Sequence, residues 1–284
     1  MISIPVAIKN EYFRWQLDLF WYFHKKHYGV LAHKHAHAII VEDLCHAKSN
    51  PASTAIDWSL DIPKTFCTHH KDFYKSPKCD IWYEPLNIPA GLEQIIKRFD
   101  DEDILELLDC DMFHVRKAPV IKVEHYTLLV ETFYEPWHLH SLGKSKYLID
   151  DILLFNNKAS YYNGGFVPII GSAKTFKALL SLWPIYHLRI LESLPVGDIR
   201  GWWAGMYSLQ AACETLRINM VSFNRCAFPP HREIMDHHYI AHYSVDQDFF
   251  NKKKFESVNP AKFPKTPYYS MISEWLLDWK SRGN

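Results

Sequence analysis

At 284 residues, 48% of them hydrophobic and 15% aromatic, the chain has the material for a sizeable core, which excludes a disordered or low-complexity protein. Lysine plus arginine equal aspartate plus glutamate at 32 each, so no global field draws the protein onto nucleic acid or a membrane, and only local patches could do so. Cys45, Cys67, Cys79, Cys110, Cys213 and Cys226 lack paired spacing and suit reduced thiols, and Cys67, His69, His70 and Cys79 match no usual zinc pattern.

The N-terminus passes from Met1 to Val6 into a charged amphipathic segment with no long apolar run, which predicts a cytoplasmic protein with no membrane partner. Ile2 to Ile8 reads as a β-branched strand, and Asn10 to Tyr28 as a helix with Phe13, Leu17, Phe20 and Phe23 or His24 at helical spacing. A strand followed at once by a helix opens a nucleotide-binding α/β sheet, whose ligand lies at the carboxyl end of the strand. Asn10, Glu11, Tyr12 and Gln16 stand in or just after that turn, where capping and first-turn solvation compete with ligand contact.

His33 to Val41 predicts a second strand with His33, His35 and His37 on one face. Alternating histidines can chelate a metal, although an exposed polar face explains the pattern equally well. Residues 48 to 80 read as an irregular excursion with one strand near Lys64 to Thr68, Tyr83 to Gly91 as a proline-punctuated loop, and Leu92 to Phe99 as a helix.

The stretch Asp103 to Phe113 organises the rest. An apolar run ending in Asp109-Cys110-Asp111 reads as a buried strand delivering two carboxylates, on one side, to the point where the chain leaves the sheet. Two hard oxygen ligands there suit Mg²⁺ or Mn²⁺, which could neutralise a diphosphate leaving group. Taken alone, Asp-x-Asp is more often a solvated strand end.

Leu128 to Val130 follows as an apolar segment, then the aromatic and histidine-rich stretch Phe133 to His140, with Lys144, Lys146 and Tyr147 beyond it. Asn163-Gly164-Gly165 precedes a strand, where paired glycines either let backbone approach a ligand or make a tight turn. Ser172 to Trp183 predicts a helix, Asp198 to Gly201 a turn, Trp202 to Leu216 a long helix, and Tyr239 to Ser244 a short strand carrying His242. Lys252-Lys253-Lys254 reads as a solvated basic face and Ser270 to Lys280 as an amphipathic helix. With no internal repeat, the order predicts one α/β domain with a single mixed central sheet flanked by helices.

Several of these stretches, in order, resemble one family. Asn10 to Gln16, Leu86 to Gly91, Leu108-Asp109-Cys110-Asp111-Met112, Gly164 to Pro168, Gly201-Trp202 with Met206-Tyr207, and Ile240 to Tyr243 are similar to plant hydroxyproline O-arabinosyltransferases and the related peptidyl serine α-galactosyltransferases. The resemblance implies a GT-A nucleotide-diphospho-sugar transferase fold, with residues 1–125 as the nucleotide-binding half, 126–255 as the sugar and acceptor half, and 256–284 as a C-terminal helical extension. It further implies a UDP-sugar donor, Mn²⁺ or Mg²⁺, and transfer with retention.

Carried onto this sequence, it makes Asp109, Asp111 and His242 the metal ligands and places Pro5, Asn10, Tyr12, Gln16, Asn87 and Cys110 near the nucleotide. It places Gly164, Gly165 and Trp202 near the sugar, and the chemistry such a transfer needs adds Asn163 and Asp198 as candidate catalytic groups and Arg116 or Lys252 to assist the departing diphosphate. Cys110 stands where the plant proteins tend to have Ala or Pro, and no counterpart of the plant proteins' membrane anchors is expected here.

The chain also looks like the arabinosyltransferases of T4-like phages. That implies arabinose from UDP-arabinose, 5-hydroxymethylcytosine in DNA as the acceptor, the host cytoplasm as the location, and Lys25-Lys26-His27, Lys144 to Tyr147 and Lys252 to Lys254 as phosphate contacts. Alternatives are a protein, peptide or glycan hydroxyl as acceptor, or a non-catalytic nucleotide-sugar-binding module. No obligate protein partner is implied.

Overall fold

The structure, a computed structural model, describes residues 1–42, 58–68, 87–131, 166–193, 200–227, 233–243 and 250–283. The β-branched N-terminal run forms β1 (Ile2–Ile8), buried along most of its length. Asn10 then takes an extended conformation and its side chain accepts from the Phe13 N–H at 3.0 Å, which starts α1 (Glu11–Tyr28). Gly29, with φ of 56°, ends that helix in a conformation that favours glycine.

The histidine-rich segment differs from expectation. His33 and His35 lie on the short helix α2 (Ala32–His35), and β2 (Ala38–Glu42) begins only where Ala38-Ile39-Ile40-Val41 can be buried on both faces. Residues two apart on a helix do not share a face, so the chelating face is lost, and His37 instead pairs with Thr65 Oγ1 at 2.8 Å.

β3 (Lys64–Thr68) occupies its expected residues. The next helix, α3 (Asn87–Ile95), begins before the expected Leu92, because Pro89 falls in the first turn, where its missing N–H is no loss. A Cβ on Gly91 would stand 2.5 Å from Ile39 Cγ2, so glycine lets α3 lie directly on β2.

The remaining elements are β4 (Ile104–Asp109), β5 (Met112–His114), β6 (Thr127–Glu131), β7 (Phe166–Ser172), α4 (Ala173–Leu179), α5 (Trp183–Ser193), α6 (Arg200–Leu216), β8 (Asn219–Ser222), β9 (Cys226–Ala227), β10 (Ile240–His242) and α7 (Pro267–Ser281). The helix expected from Ser172 to Trp183 thus ends at Leu179, and Trp183 instead opens the next helix. Pro184 cannot donate back across the turn, and the chain restarts there as α5.

Among the described residues the strands form a seven-stranded mixed sheet in the order β3-β2-β1-β4-β7-β6-β8 and a three-stranded sheet in the order β5-β10-β9. β1 lies parallel between β2 and β4, and β7 runs antiparallel to β4 and β6.

Ile4, Val6, Ile39, Leu105 and Leu107 pack one face of the large sheet against Leu92, Phe176 and Leu209 of the helices. On the other face Ala7, Ile40, Leu108 and Ile170 meet Leu17, Phe20 and Trp21 of α1. A third cluster, with Trp15, Phe23, Phe113, Tyr243, Phe250, Phe255, Trp275 and Trp279, docks α7 near α1. Asp18 fixes that docking by accepting from Trp275 Nε1 at 3.3 Å and Arg282 Nη2 at 2.8 Å. No helix among the described residues is long and apolar enough to cross a membrane.

Candidate metal centre

The position of the acidic pair follows from sheet register. Asp109 closes β4 opposite Val6 of β1, and Cys110 and Asp111 make the turn into β5. That turn stands at the carboxyl ends of the parallel strands, where open α/β sheets leave a crevice. β10 runs antiparallel to β5 with His242 opposite Met112, and the Tyr243 N–H donates to the Asp111 carbonyl at 3.1 Å. The small sheet therefore carries His242 to the acids across a long sequence separation.

One donor atom from each of Asp109, Asp111 and His242 lies within 4.8 Å of the others. His242 Nε2 is 3.0 Å from Asp111 Oδ1 and 4.0 Å from Asp109 Oδ2. Two carboxylates with one imidazole fit a divalent ion of the Mn²⁺ kind, which accepts oxygen donors and tolerates a ring nitrogen.

A fourth side chain completes the cluster. Lys252 is 5% exposed, its Nζ lies 2.9 Å from Asp111 Oδ2, and it stands 5.3 Å from the centre of the Tyr243 ring. Read from sequence, the run Lys252 to Lys254 is a solvated face. The contrary signal was its setting between Phe250 and Phe255, both buried in the aromatic cluster.

The charges separate the two aspartates. Burial, and then the neighbouring Asp111 carboxylate, push the Asp109 carboxyl up to about 6. Asp111 is partly shielded from solvent too, but His242 and Lys252 outweigh that penalty and hold its carboxyl well below the usual range. Burial alone would lower His242, and Asp111 and Asp109 reverse it, so the imidazole binds its proton more tightly than usual. Lys252 likewise overcomes its burial through Asp111 and keeps its charge.

Other expected residues fall around or away from this centre. Gln16 Nε2 donates to the Tyr12 carbonyl at 2.8 Å and its Oε1 accepts from the Cys110 thiol at 3.6 Å, so Gln16 and Cys110 tie α1 to the acidic turn from beneath. Tyr12 lies within electrostatic reach of Lys252. Pro5 is buried in β1 opposite Leu108, and the Asn10 side-chain oxygen is committed to the helix cap. Asn87 opens α3 and Trp202 lies in the first turn of α6, with their side chains outside the described residues.

Asn163, Gly164, Gly165 and Asp198, with the Phe133 to Tyr147 stretch, also lie outside the described residues. Arg116 does not reach the acids: its guanidinium donates to the carbonyls of Asp236 at 2.8 Å and Met235 at 3.2 Å.

Glu131, absent from the sequence-derived candidates, is 3% exposed and accepts from the backbone N–H groups of Arg225 and, at 2.8 Å, Cys226. Its only sequence signal was a carboxylate closing the apolar run Leu128 to Val130. The Cys226 thiol beside it is pushed well up by burial and by Glu131, Asp111, Glu106 and Asp109, which keeps it protonated and unreactive.

No protein-family profile matches the chain, and no curated protein matches it. Among solved structures it is similar to the apo form of WbbM, described as a bifunctional glycosyltransferase, at 12% identity and a TM-score of 0.48. That match covers 97% of this chain and 50% of the other, so the chain spans about half the length of the structure it resembles.

Proposed function

We propose that the chain is a metal-dependent, retaining glycosyltransferase of the GT-A kind that moves a sugar from a UDP-sugar onto a hydroxyl. The observation that carries this reading is the convergence of Asp109, Asp111 and His242 at the carboxyl edge of the sheet, their donor atoms within 4.8 Å of one another. A divalent ion held there would supply positive charge to a departing diphosphate.

The chain's own groups support the same task. Lys252 places a fixed ammonium beside Asp111, and Gln16 with Cys110 fixes the turn that aims both acids. In the transfer, the bond from the anomeric carbon to the diphosphate oxygen breaks and a bond to the acceptor oxygen forms. The acceptor proton passes to the leaving diphosphate oxygen, so no protein base is obligatory. Asp198, or Asn163 beside the glycine pair, would serve the sugar side.

Two experiments test this. Hydrolysis of a UDP-sugar in the presence of Mn²⁺ is expected from the native chain and is expected to vanish in Asp111→Ala; no donor turnover with any divalent ion would leave only a binding module. For the finer assignment, UDP-arabinose is the donor and 5-hydroxymethylcytosine DNA the acceptor to try first, with pentose addition read by mass spectrometry.

A protein, peptide or glycan hydroxyl is the second reading, and the placement of the lysines favours it. Lys25 and Lys26 lie at the end of α1 remote from the acids, and Lys252 is engaged inside the centre, so these three are not set as phosphate contacts beside the reacting hydroxyl, while Lys144 to Tyr147 lie outside the described residues. Pentose on a hydroxyproline peptide but not on the DNA would decide for it.

A further inference from the structure

The end of α1 remote from the acidic pair carries a surface that sugar transfer does not use. From its cap at Asn10 the helix runs 18 residues, roughly 27 Å at about 1.5 Å per residue, away from the carboxyl edge of the sheet. Gly29 then turns the chain, and Val30 and Leu31 project outward, 95% and 46% exposed. The segment after β5 returns to the same place. The Ala118 N–H donates to the Tyr28 hydroxyl at 3.3 Å, Lys117 Nζ lies 5.7 Å from the Tyr28 ring centre, and Val120 is 94% exposed.

Lysines surround these aliphatic tips. Lys25 lies 5.6 Å from the centre of the Trp21 ring, whose edge meets His33, and Lys34, Lys117 and Lys122 are exposed. Among the described residues the acids nearby are fewer, and Glu102 among them is held by His125 at 3.0 Å. Glu274 is taken up by Lys26 at 2.6 Å, Asp61 stands 3.8 Å from His33, and Glu124 follows Lys122 by two positions. The patch is therefore basic, in a chain whose formal net charge is zero.

Aliphatic side chains at the tips of a lysine-ringed surface match the chemistry of a lipid interface. Val30, Leu31 and Val120 would enter the acyl boundary while the ammonium groups meet phosphate, and the two weak signals reinforce each other. A nucleic-acid surface would instead offer exposed aromatic platforms, and bare valine tips read neither base nor phosphate.

We infer that this end of the molecule docks on an anionic phospholipid surface as a peripheral contact, with no spanning helix required. Docked in this way, the chain turns Asp109, Asp111 and His242 away from the bilayer. Its acceptor hydroxyl is then met roughly a helix length above the headgroups rather than among them.

The test is co-sedimentation of the full chain with vesicles of phosphatidylcholine alone or with about one third phosphatidylglycerol, an anionic surface of the kind that attracts basic segments. The native chain is expected to sediment with the anionic vesicles only, and to be released at about 0.5 M salt, where the Debye length falls below about 5 Å. Binding is expected to weaken about tenfold in Val30→Asp/Val120→Asp and to be lost in Lys25→Glu/Lys34→Glu/Lys117→Glu. Lys97→Glu, an exposed control elsewhere, keeps it.

Unchanged circular dichroism and donor turnover in solution would show that these surface variants fold. Absence of sedimentation, equal sedimentation with both vesicles, or indifference to the valine changes would overturn the inference. So would retention of a DNA duplex that depends on the lysines and not on the valines, which would assign the surface to nucleic acid.

Discussion

Glu106 and Asp109 stand on the same strand, three positions apart, and the structure treats them in opposite ways. Glu106 is wholly buried yet fully supplied: it accepts from the Ser3 and Tyr239 hydroxyls at 2.6 Å each, and His114 Nε2 lies 3.3 Å away. Burial alone would raise its carboxyl, and the His114, Ser3 and Tyr239 contacts reverse this, so it stays ionised. Asp109, at the strand end, keeps 40% of its side chain exposed, and partial desolvation together with the like charge of Asp111 pushes its carboxyl up. A carboxylate surrounded by donors is structural. One held against another carboxylate suits the divalent ion proposed for this site.

The difference can be tested by removing each acid. Glu106→Leu leaves Ser3, Tyr239 and His114 without their acceptor, and is expected to lower unfolding stability by about 3–5 kcal/mol, read as an earlier urea midpoint. Asp109→Asn should do the reverse. Donor turnover is expected to fall on the order of 10²–10³-fold, the scale of losing one electrostatic partner of the reacting charge. Stability is expected to rise by on the order of 1 kcal/mol, a gain kept small by solvent screening at this half-open position. Equal destabilisation by both changes would erase the contrast.

A buried histidine provides a smaller test on the acid side. His187 of α5 is fully buried, neither ring nitrogen has a partner among the described residues, and burial lowers its pKa to about 3. Between the unfolded value near 6.5 and about 3 the unfolded chain binds the extra proton, so this component of stability is lost as pH falls through that window. His187→Leu is expected to gain about 1 kcal/mol at neutral pH and to flatten the loss below about pH 6 in denaturant titrations followed by circular dichroism.

The smallest expected effect belongs to Asp109 itself. Because its carboxyl titrates at about 6, Mn²⁺ uptake at about pH 5.5 should release more protons than at about pH 8, as measured by calorimetry in buffers of different ionisation enthalpy.

Much of this was legible in the sequence where the signal was local. The strand Ile2–Ile8, its capped helix and the strand ending at Asp109 each follow from periodicity and a cap residue, and the structure has them within a residue or two. The convergence of His242 on the acids was implied by family resemblance alone, because nothing local to Tyr239-Ile240-Ala241-His242 says which strand it will pair. The misread pieces have physical causes. Alternating histidines mimic a strand until Gly29 redirects the chain into another helical turn, and a proline that looks like a loop at position 89 is welcome in a first turn. Lys252 is expected from sequence to assist the diphosphate, but the run around it reads as a solvated face, because its burial depends on Asp111, 141 positions away.

The aromatic cluster behind the metal centre has a practical side. Trp15 stacks on Phe255 with ring centres 4.6 Å apart and lies 5.8 Å from Tyr243, the residue after His242; Trp275 is 5.7 Å from the same indole. An indole packed against Tyr243 would act as a built-in optical probe: a cation or nucleotide that shifted His242 or Lys252 would alter the surroundings of Tyr243 and hence the emission of Trp15. The protein can thus report occupancy of its own centre by intrinsic fluorescence, before any sugar or acceptor is identified.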